Sequence, residues 1–193
     1  MKTHSSQRFP TSTLVLVTLC IVLGVATSAA GSWTQWGGPA RDFSPQASPR
    51  LADWGEHGPR VLWLRPLGPG YSGLVTAGPR LITMTRDGAD EVLVALDPDT
   101  GETLWRDAYA APTGLLAAVD KSYGDAPQAT PLVADGRVIG LGFTGVLTSA
   151  AVADGSVVWR HDLLHELQAS VPYFGHAASP IRVDDTVVVF AGG

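Results

Sequence analysis

Ala95-Leu-Asp-Pro-Asp-Thr-Gly-Glu-Thr-Leu-Trp105 joins an apolar run to a second short β-prone run through one turn. Upstream of it stand Leu81-Ile-Thr-Met-Thr85, a turn-rich Arg86-Asp-Gly-Ala-Asp90 and Val92-Leu-Val-Ala-Leu96; Thr103-Leu-Trp-Arg106 follows the turn at Asp97–Gly101. The same order returns downstream as Val138-Ile-Gly-Leu141, a turn at Phe143-Thr-Gly145, Val146-Leu-Thr-Ser149, a turn at Ala153-Asp-Gly155 and Val157-Val-Trp-Arg160. Gly101 to Gly155 and Trp105 to Trp159 are the same interval, 54 residues. Thr130-Pro131 returns as Ser179-Pro180, opening a partial third copy that runs to Phe190. Each unit is four short β-rich runs joined by Gly, Asp and Pro turns, which is an antiparallel meander. Meanders repeating every 40 to 55 residues or so predict the blades of a β-propeller.

The composition agrees. The 193 residues include 22 glycines and 14 prolines, and 45% are hydrophobic against 16% charged. That hydrophobic share excludes a disordered chain, and the low charge argues against a coiled coil. The formal net charge of −5 deepens to −7 without Lys2 and Arg8, so nucleic-acid phosphate is repelled. Residues 1–30 hold no acid and run from Lys2 and Arg8 through apolar Leu14–Val25 to small Ala26–Ala30, the layout of a secretory signal peptide. Its 12-residue apolar core is shorter than the roughly 20 residues a spanning helix needs. Cleavage is expected after Ala30, giving a periplasmic or extracellular product with no membrane span. Cys20, the sole cysteine, leaves with the leader, so the mature chain has no disulfide or thiol nucleophile.

The Ala95–Trp105 stretch resembles the Ala-x-Asp-x-x-Thr-Gly-x-x-x-Trp signature of the pyrroloquinoline-quinone (PQQ) repeat, the tryptophan-docking blade of quinoprotein dehydrogenases and related propellers. The second copy departs from it at Ser149 and Ala151 but keeps Asp154-Gly155 and Trp159. Trp33-Thr-Gln-Trp-Gly-Gly-Pro39, Gly124-Asp-Ala-Pro-Gln-Ala-Thr-Pro131 and Phe174-Gly-His-Ala-Ala-Ser-Pro180 are also similar to secreted PQQ-like propellers. The resemblance covers residues 33–193 and implies an all-β propeller of four-stranded antiparallel blades. In that family the tryptophan lies on the outermost strand and packs on the neighbouring blade near its turn. The resemblance therefore implies structural docking roles for Asp97, Gly101, Trp105, Gly155 and Trp159. Chemistry supports the signature, because the turn needs a glycine at positive φ and an Asp side chain that bonds its own backbone N–H groups. Trp63 is expected to dock likewise from a preceding strand, and Trp33, Trp36 and Trp54 to form a cap.

The expected organisation is a signal peptide at 1–30, an N-terminal cap with a ring-closing strand at 31–66, and blades at about 67–112, 122–168 and, in part, 172–193. About three blades is fewer than the four to eight of closed rings. The ring is therefore expected to be incomplete, the N-terminal portion of a longer protein, with assembly from several copies as the alternative.

The loops before successive inner strands carry Tyr71, then Tyr123, Asp125 and Gln128, then Tyr173 and His176. Repeat equivalence puts them on one rim, where aromatic faces with a few polar tips suit a binding funnel. His161 and His165, with Glu166 nearby, are too few for a zinc site, and no metal site is expected. Asp184-Asp185 read as hairpin-turn residues without calcium-loop spacing. No Gly-x-Ser-x-Gly elbow, P-loop or dinucleotide fingerprint occurs, so no catalytic residue is assigned.

Two functions follow. The first is an exported PQQ-like module that binds other proteins, or a small-molecule or carbohydrate ligand, at the propeller rim. The resemblance implies the alternative, a PQQ- and calcium-dependent quinoprotein dehydrogenase oxidising an alcohol or sugar. In the alcohol-oxidising family an adjacent-cysteine disulfide from early blades lies against the quinone, and the mature chain has no cysteine, which weighs against the alternative.

Overall fold

A computed structural model describes residues 32–45, 55–114 and 122–192. The leader, with Cys20, and Trp54 lie outside the described residues. The first sheet comprises β1 (Val75–Thr76), β2 (Leu81–Asp87), β3 (Asp90–Leu96) and β4 (Thr103–Ala110) in the order β1-β2-β3-β4, all antiparallel. The second repeats that order with β5 (Leu132–Ala134), β6 (Arg137–Leu141), β7 (Val146–Ala151) and β8 (Val157–Asp162). A short helix α1 (Leu163–Leu167) follows, and the hairpin β9 (Ile181–Val183) and β10 (Thr186–Val188) starts a third unit. No described helix is long and apolar enough to cross a membrane.

Each sheet is apolar on both faces because each face meets a different neighbour. Along β3, Leu93 and Ala95 join Val75, Ile82, Met84, Trp105, Val138 and Ala150 in one buried cluster between the two sheets. The alternate residues Val92, Val94 and Leu96 face the other way and pack with Trp63, Leu67 and Leu81. The second sheet divides in the same manner. Val138 and Ala150 face the first sheet, while Ile139, Leu141 and Leu147 pack with Leu132, Leu163, Trp159 and Val187 towards the third unit. A strand with both faces covered reads as a continuous apolar run rather than an alternating one.

One correction concerns the first hairpin. The sequence reads Arg86–Asp90 as a turn, but β2 and β3 continue to Asp87 and from Asp90, joined by the two residues Gly88-Ala89. Gly88 takes φ +60°, which lets the reversal close in two residues. Arg86 and Glu91 therefore pair across the ladder and are buried.

The units are stitched along their inner strands by a recurring bond. Gly73 N–H donates to Thr130 Oγ1 at 3.0 Å, and Thr130 N–H donates to Ser179 Oγ at 2.9 Å. The approach segment crosses the same strands, with the carbonyls of Trp33 and Thr34 accepting from the N–H groups of Thr76 and Val133.

Tryptophans join the units, Trp105 from the outer strand β4 and Trp63 from the extended N-terminal segment, which forms no strand among its described residues 32–45 and 55–66. Trp105 on β4 donates from Nε1 to the Val152 carbonyl at 2.9 Å, its ring lying on Gly155. Trp63 donates to the Pro98 carbonyl at 2.8 Å, its ring lying on Gly101. A Cβ at Gly101 or Gly155 would come within 2.5 and 2.6 Å of the respective indole, and both residues have positive φ. Asp97 Oδ1 accepts from the N–H groups of Asp99 and Thr100 at 2.8 and 2.9 Å. The Thr100 and Asp99 N–H groups hold that carboxyl below its ordinary value. Trp159 is half-buried beside Val187.

Candidate functional site

A depression of about 500 Å³ opens where the leads into the inner strands converge, lined by Tyr71, Tyr123, Gly124, Gln128, Phe174 and Ala177. The repeat explains three of them. Ala77, Ala134 and Val183 each form the last pair of an inner hairpin, with Arg80, Arg137 and Thr186. Tyr71, Gln128 and Ala177 each lie six residues before these, so one position in three successive units faces the same space. Their convergence is a property of the repeat rather than of one loop.

The rings around the depression meet edge to face. Tyr123 and Phe174 lie 6.2 Å apart at 62°, and Tyr173 backs Phe174 at 4.8 Å and 83°. Tyr71 and Tyr123 are 64% and 70% exposed, so ring faces and phenol tips are open to solvent. Gln128 spans two units, donating from Nε2 to the Phe174 carbonyl at 2.9 Å. No charged side chain is part of the lining.

The loop carrying Tyr123 is held from below. Arg86 Nε donates to the Asp125 carbonyl at 2.9 Å, and the Thr113 hydroxyl donates to Asp125 Oδ2. Tyr71 N–H donates to the Pro127 carbonyl at 2.8 Å. Arg86 also donates to the Ala111 carbonyl at 3.1 Å and to Glu91 Oε1 at 3.3 Å. Glu91 reaches across the junction between the sheets, accepting from Thr144 N–H at 3.2 Å and from the Tyr109 hydroxyl at 2.8 Å. Burial raises the Glu91 carboxyl above its ordinary value, against the lowering pull of Tyr109 and Arg86. Burial and then the Glu91 charge hold the Tyr109 phenol well above its own.

Of the six rim residues named from sequence, Tyr71, Tyr123 and Gln128 line the depression and Tyr173 supports it through Phe174. Asp125 turns away from the lining to Thr113 and Arg86. His176 is buried between units, its ring on Gly145, with Nδ1 3.3 Å from the Phe143 carbonyl and Nε2 3.2 Å from the Ala191 carbonyl. Sequence reasoning did not single out Ala177, which the offset from Ser179-Pro180 could have found. Nor did it find Arg86 or Glu91, whose partners beyond their own hairpin are remote in sequence.

Elsewhere, Asp162 caps α1 by accepting from the N–H groups of Leu164 and His165. His161 Nδ1 lies 2.7 Å from Glu166 Oε2, and His165 Nδ1 lies 2.6 Å from Asp162 Oδ2. Among the described residues no three His, Cys, Asp or Glu side chains are placed to hold a metal. A planar quinone with calcium needs parallel stacking partners and a group of oxygen ligands. The described rim offers rings at steep angles and an acid already bonded, and these residues do not fit that group.

The model of the family described as the outer membrane protein assembly factor BamB matches residues 39–193. The chain belongs to that family. Its paired meanders with docked tryptophans are an unclosed stretch of β-propeller. Among solved structures it is similar to BamB from Moraxella catarrhalis, at 20% identity and TM-score 0.45, covering 65% of this chain and 32% of that one. A europium-containing methanol dehydrogenase is similar at 22% identity and TM-score 0.40, covering 56% of this chain and 20% of that one. The quinohemoprotein alcohol dehydrogenase ADHIIG from Pseudomonas putida HK5 is similar at 20% identity and TM-score 0.47, covering 67% and 18%. The chain thus spans a third or less of each of these proteins. No curated protein matches it.

Proposed function

We propose that the chain is part of an exported BamB-family propeller that works as a binding scaffold through its axial rim. The observation that carries this reading is the neutral, aromatic depression to which Tyr71, Gln128 and Ala177 contribute from one repeated position. Open ring faces with few polar tips favour reversible binding, since they give contact area at low ordering cost. Export rests on the charged, apolar and small-residue order of residues 1–30. A scaffold role is also what the printed description of the matched family, an assembly factor, supports.

The test is an array of peptides and glycans probed with the wild-type protein, a Tyr71→Ala/Tyr123→Ala variant and a Leu104→Ser variant. Leu104 is exposed on β4 and takes no part in the lining. Signals should vanish with the rim variant and persist with Leu104→Ser. Identical signals from all three proteins contradict the proposal. So does alcohol- or sugar-dependent dye reduction with PQQ and Ca²⁺ that a chelator abolishes, which would restore the dehydrogenase alternative.

A further inference from the structure

We infer that the buried Arg86–Glu91 pair is a charge-controlled latch on the rim. Loss of the Glu91 charge hands the Arg86 guanidinium to Asp125 and shifts the loop that carries Tyr123. The guanidinium donates to the Ala111 carbonyl at 3.1 Å and to the Asp125 carbonyl at 2.9 Å, so it pins both ends of the stretch 111–125. Its Nη2 lies 3.3 Å from Glu91 Oε1, and its Nε lies 3.8 Å from Asp125 Oδ1. One cation thus stands between two acids, Glu91 buried in the corner and Asp125 partly exposed in the rim loop. Sealing a corner does not itself require an ion pair. At the following junction the place of Arg86 is taken by Phe143, whose ring packs on Gly175.

The bonding around Glu91 accommodates both charge states. Oε2 accepts from the Tyr109 hydroxyl at 2.8 Å, and Oε1 accepts from Thr144 N–H at 3.2 Å. A proton on Oε2 reverses the first bond, because a phenol oxygen accepts as well as donates, and it leaves Oε1 an acceptor for Thr144. What changes is the charge facing Arg86. A buried guanidinium without a counter-charge is costly, and Asp125 is the other acid within ion-pair reach of it among the described residues. The remaining charged groups nearby are engaged elsewhere. Arg160 lies over the Tyr109 ring and pairs with Asp107, Asp87 pairs with Arg106, and His176, beyond the Phe143–Gly145 turn, lies against the Phe143 carbonyl. Asp90, the neighbour of Glu91 on β3, belongs to the opposite face of the strand. Burial raises the Glu91 carboxyl above its ordinary value, which brings the change of charge into milder acid.

The experiment follows the full chain, with isotope-labelled tyrosine, by NMR as pH falls from neutrality to the ordinary glutamate value of 4.5. Tyr109 touches Glu91 and reports its titration, whereas Tyr123 reports transmission to the rim. Both signals should move with one midpoint. Glu91→Gln, neutral at every pH, should abolish that shared movement and hold Tyr123 near its acid position throughout. This variant keeps Asp125, so it separates the latch from titration of Asp125 itself. Asp125→Asn should retain the Tyr109 response and lose that of Tyr123.

A Tyr109 signal that titrates while Tyr123 stays fixed overturns the inference. So does a Tyr123 response that survives unchanged in Glu91→Gln or in Asp125→Asn, or a Tyr109 signal that does not move. The consequence for binding rests on the rim reading above, and the two fail separately. A rim that titrates with Glu91 but captures nothing on the array would fell the scaffold alone. Capture that depends on Tyr71 and Tyr123, without this titration, would fell the latch alone.

Discussion

The two junctions between successive units start from the same scaffold and seal their corners with opposite chemistry. Counting along the ladders from Ala95 and Ser149, which lie opposite Trp105 and Trp159, Arg86, Glu91 and Tyr109 correspond to Phe143, Gly145 and Leu163. At the first junction those positions hold a buried ion pair with a phenol, reaching into the second unit through Thr144 N–H. At the second, the Phe143 ring packs on Gly175 and the His176 ring on Gly145. The inner-strand bond from N–H to hydroxyl is common to both. What the repeat preserves is thus the ring-forming geometry, whereas the corner only has to be filled and satisfied. The first filling also holds the Tyr123 loop through Arg86, so a buried pair and an exposed aromatic surface share one residue.

Breaking the first junction should have the largest effect. Trp105→Ala removes a buried indole and its bond to Val152, costing about 3–5 kcal/mol in urea unfolding. Trp159→Ala should cost clearly less, because that ring is only half-buried. Equal losses would erase the difference drawn between the junctions. Next in size, Glu91→Ala strands the Arg86 charge and should cost about 3 kcal/mol. The paired change Arg86→Met with Glu91→Met removes the ion pair, which the second corner also lacks, and should recover most of that loss. A double variant as unstable as the sum of its singles would show that the charge itself is needed.

A smaller, pH-dependent effect sharpens the same contrast. The Glu91 carboxyl titrates above its ordinary value of 4.5 in the folded protein, so within that window the native state binds the proton more firmly than the unfolded chain. Stability from this group therefore falls as pH rises through the window. Asp97 and Asp154, shifted down, act in the opposite sense and lose stability as pH falls. Subtracting the urea midpoints of Glu91→Gln from those of wild type isolates the Glu91 contribution. That difference should decline with rising pH from about 4.5 upward, and a flat difference contradicts the assignment. Smallest of all, Glu166→Gln at the exposed His161 pair should change stability by less than about 1 kcal/mol.

The meander, its period and the glycine turns under the indoles are legible in sequence because they rest on local chemistry: a turn needs Gly or Asp wherever it occurs. Tyr71 and Gln128 were readable as sharing one end because each precedes an inner strand. The charged corner was not legible. Arg86-Asp-Gly-Ala-Asp90 has the composition of a solvated turn, and nothing local reveals that Thr144 will bring a backbone N–H to Glu91. His176 reads as a polar rim group for the same reason. Its burial depends on Gly145, a residue of the preceding unit with no side chain to block the ring.

The proposed scaffold requires that the units seal against one another while their axial end stays open. Hydroxyl-radical footprinting of the four tyrosines in the native protein tests this most directly. Tyr71, Tyr123 and Tyr173 should be oxidised rapidly, and Tyr109, closed in between Glu91 and an Arg160 guanidinium 4.6 Å above its ring, should be protected until the protein unfolds. Labelling of Tyr109 at the rate of Tyr123, or protection of all four alike, would contradict the account.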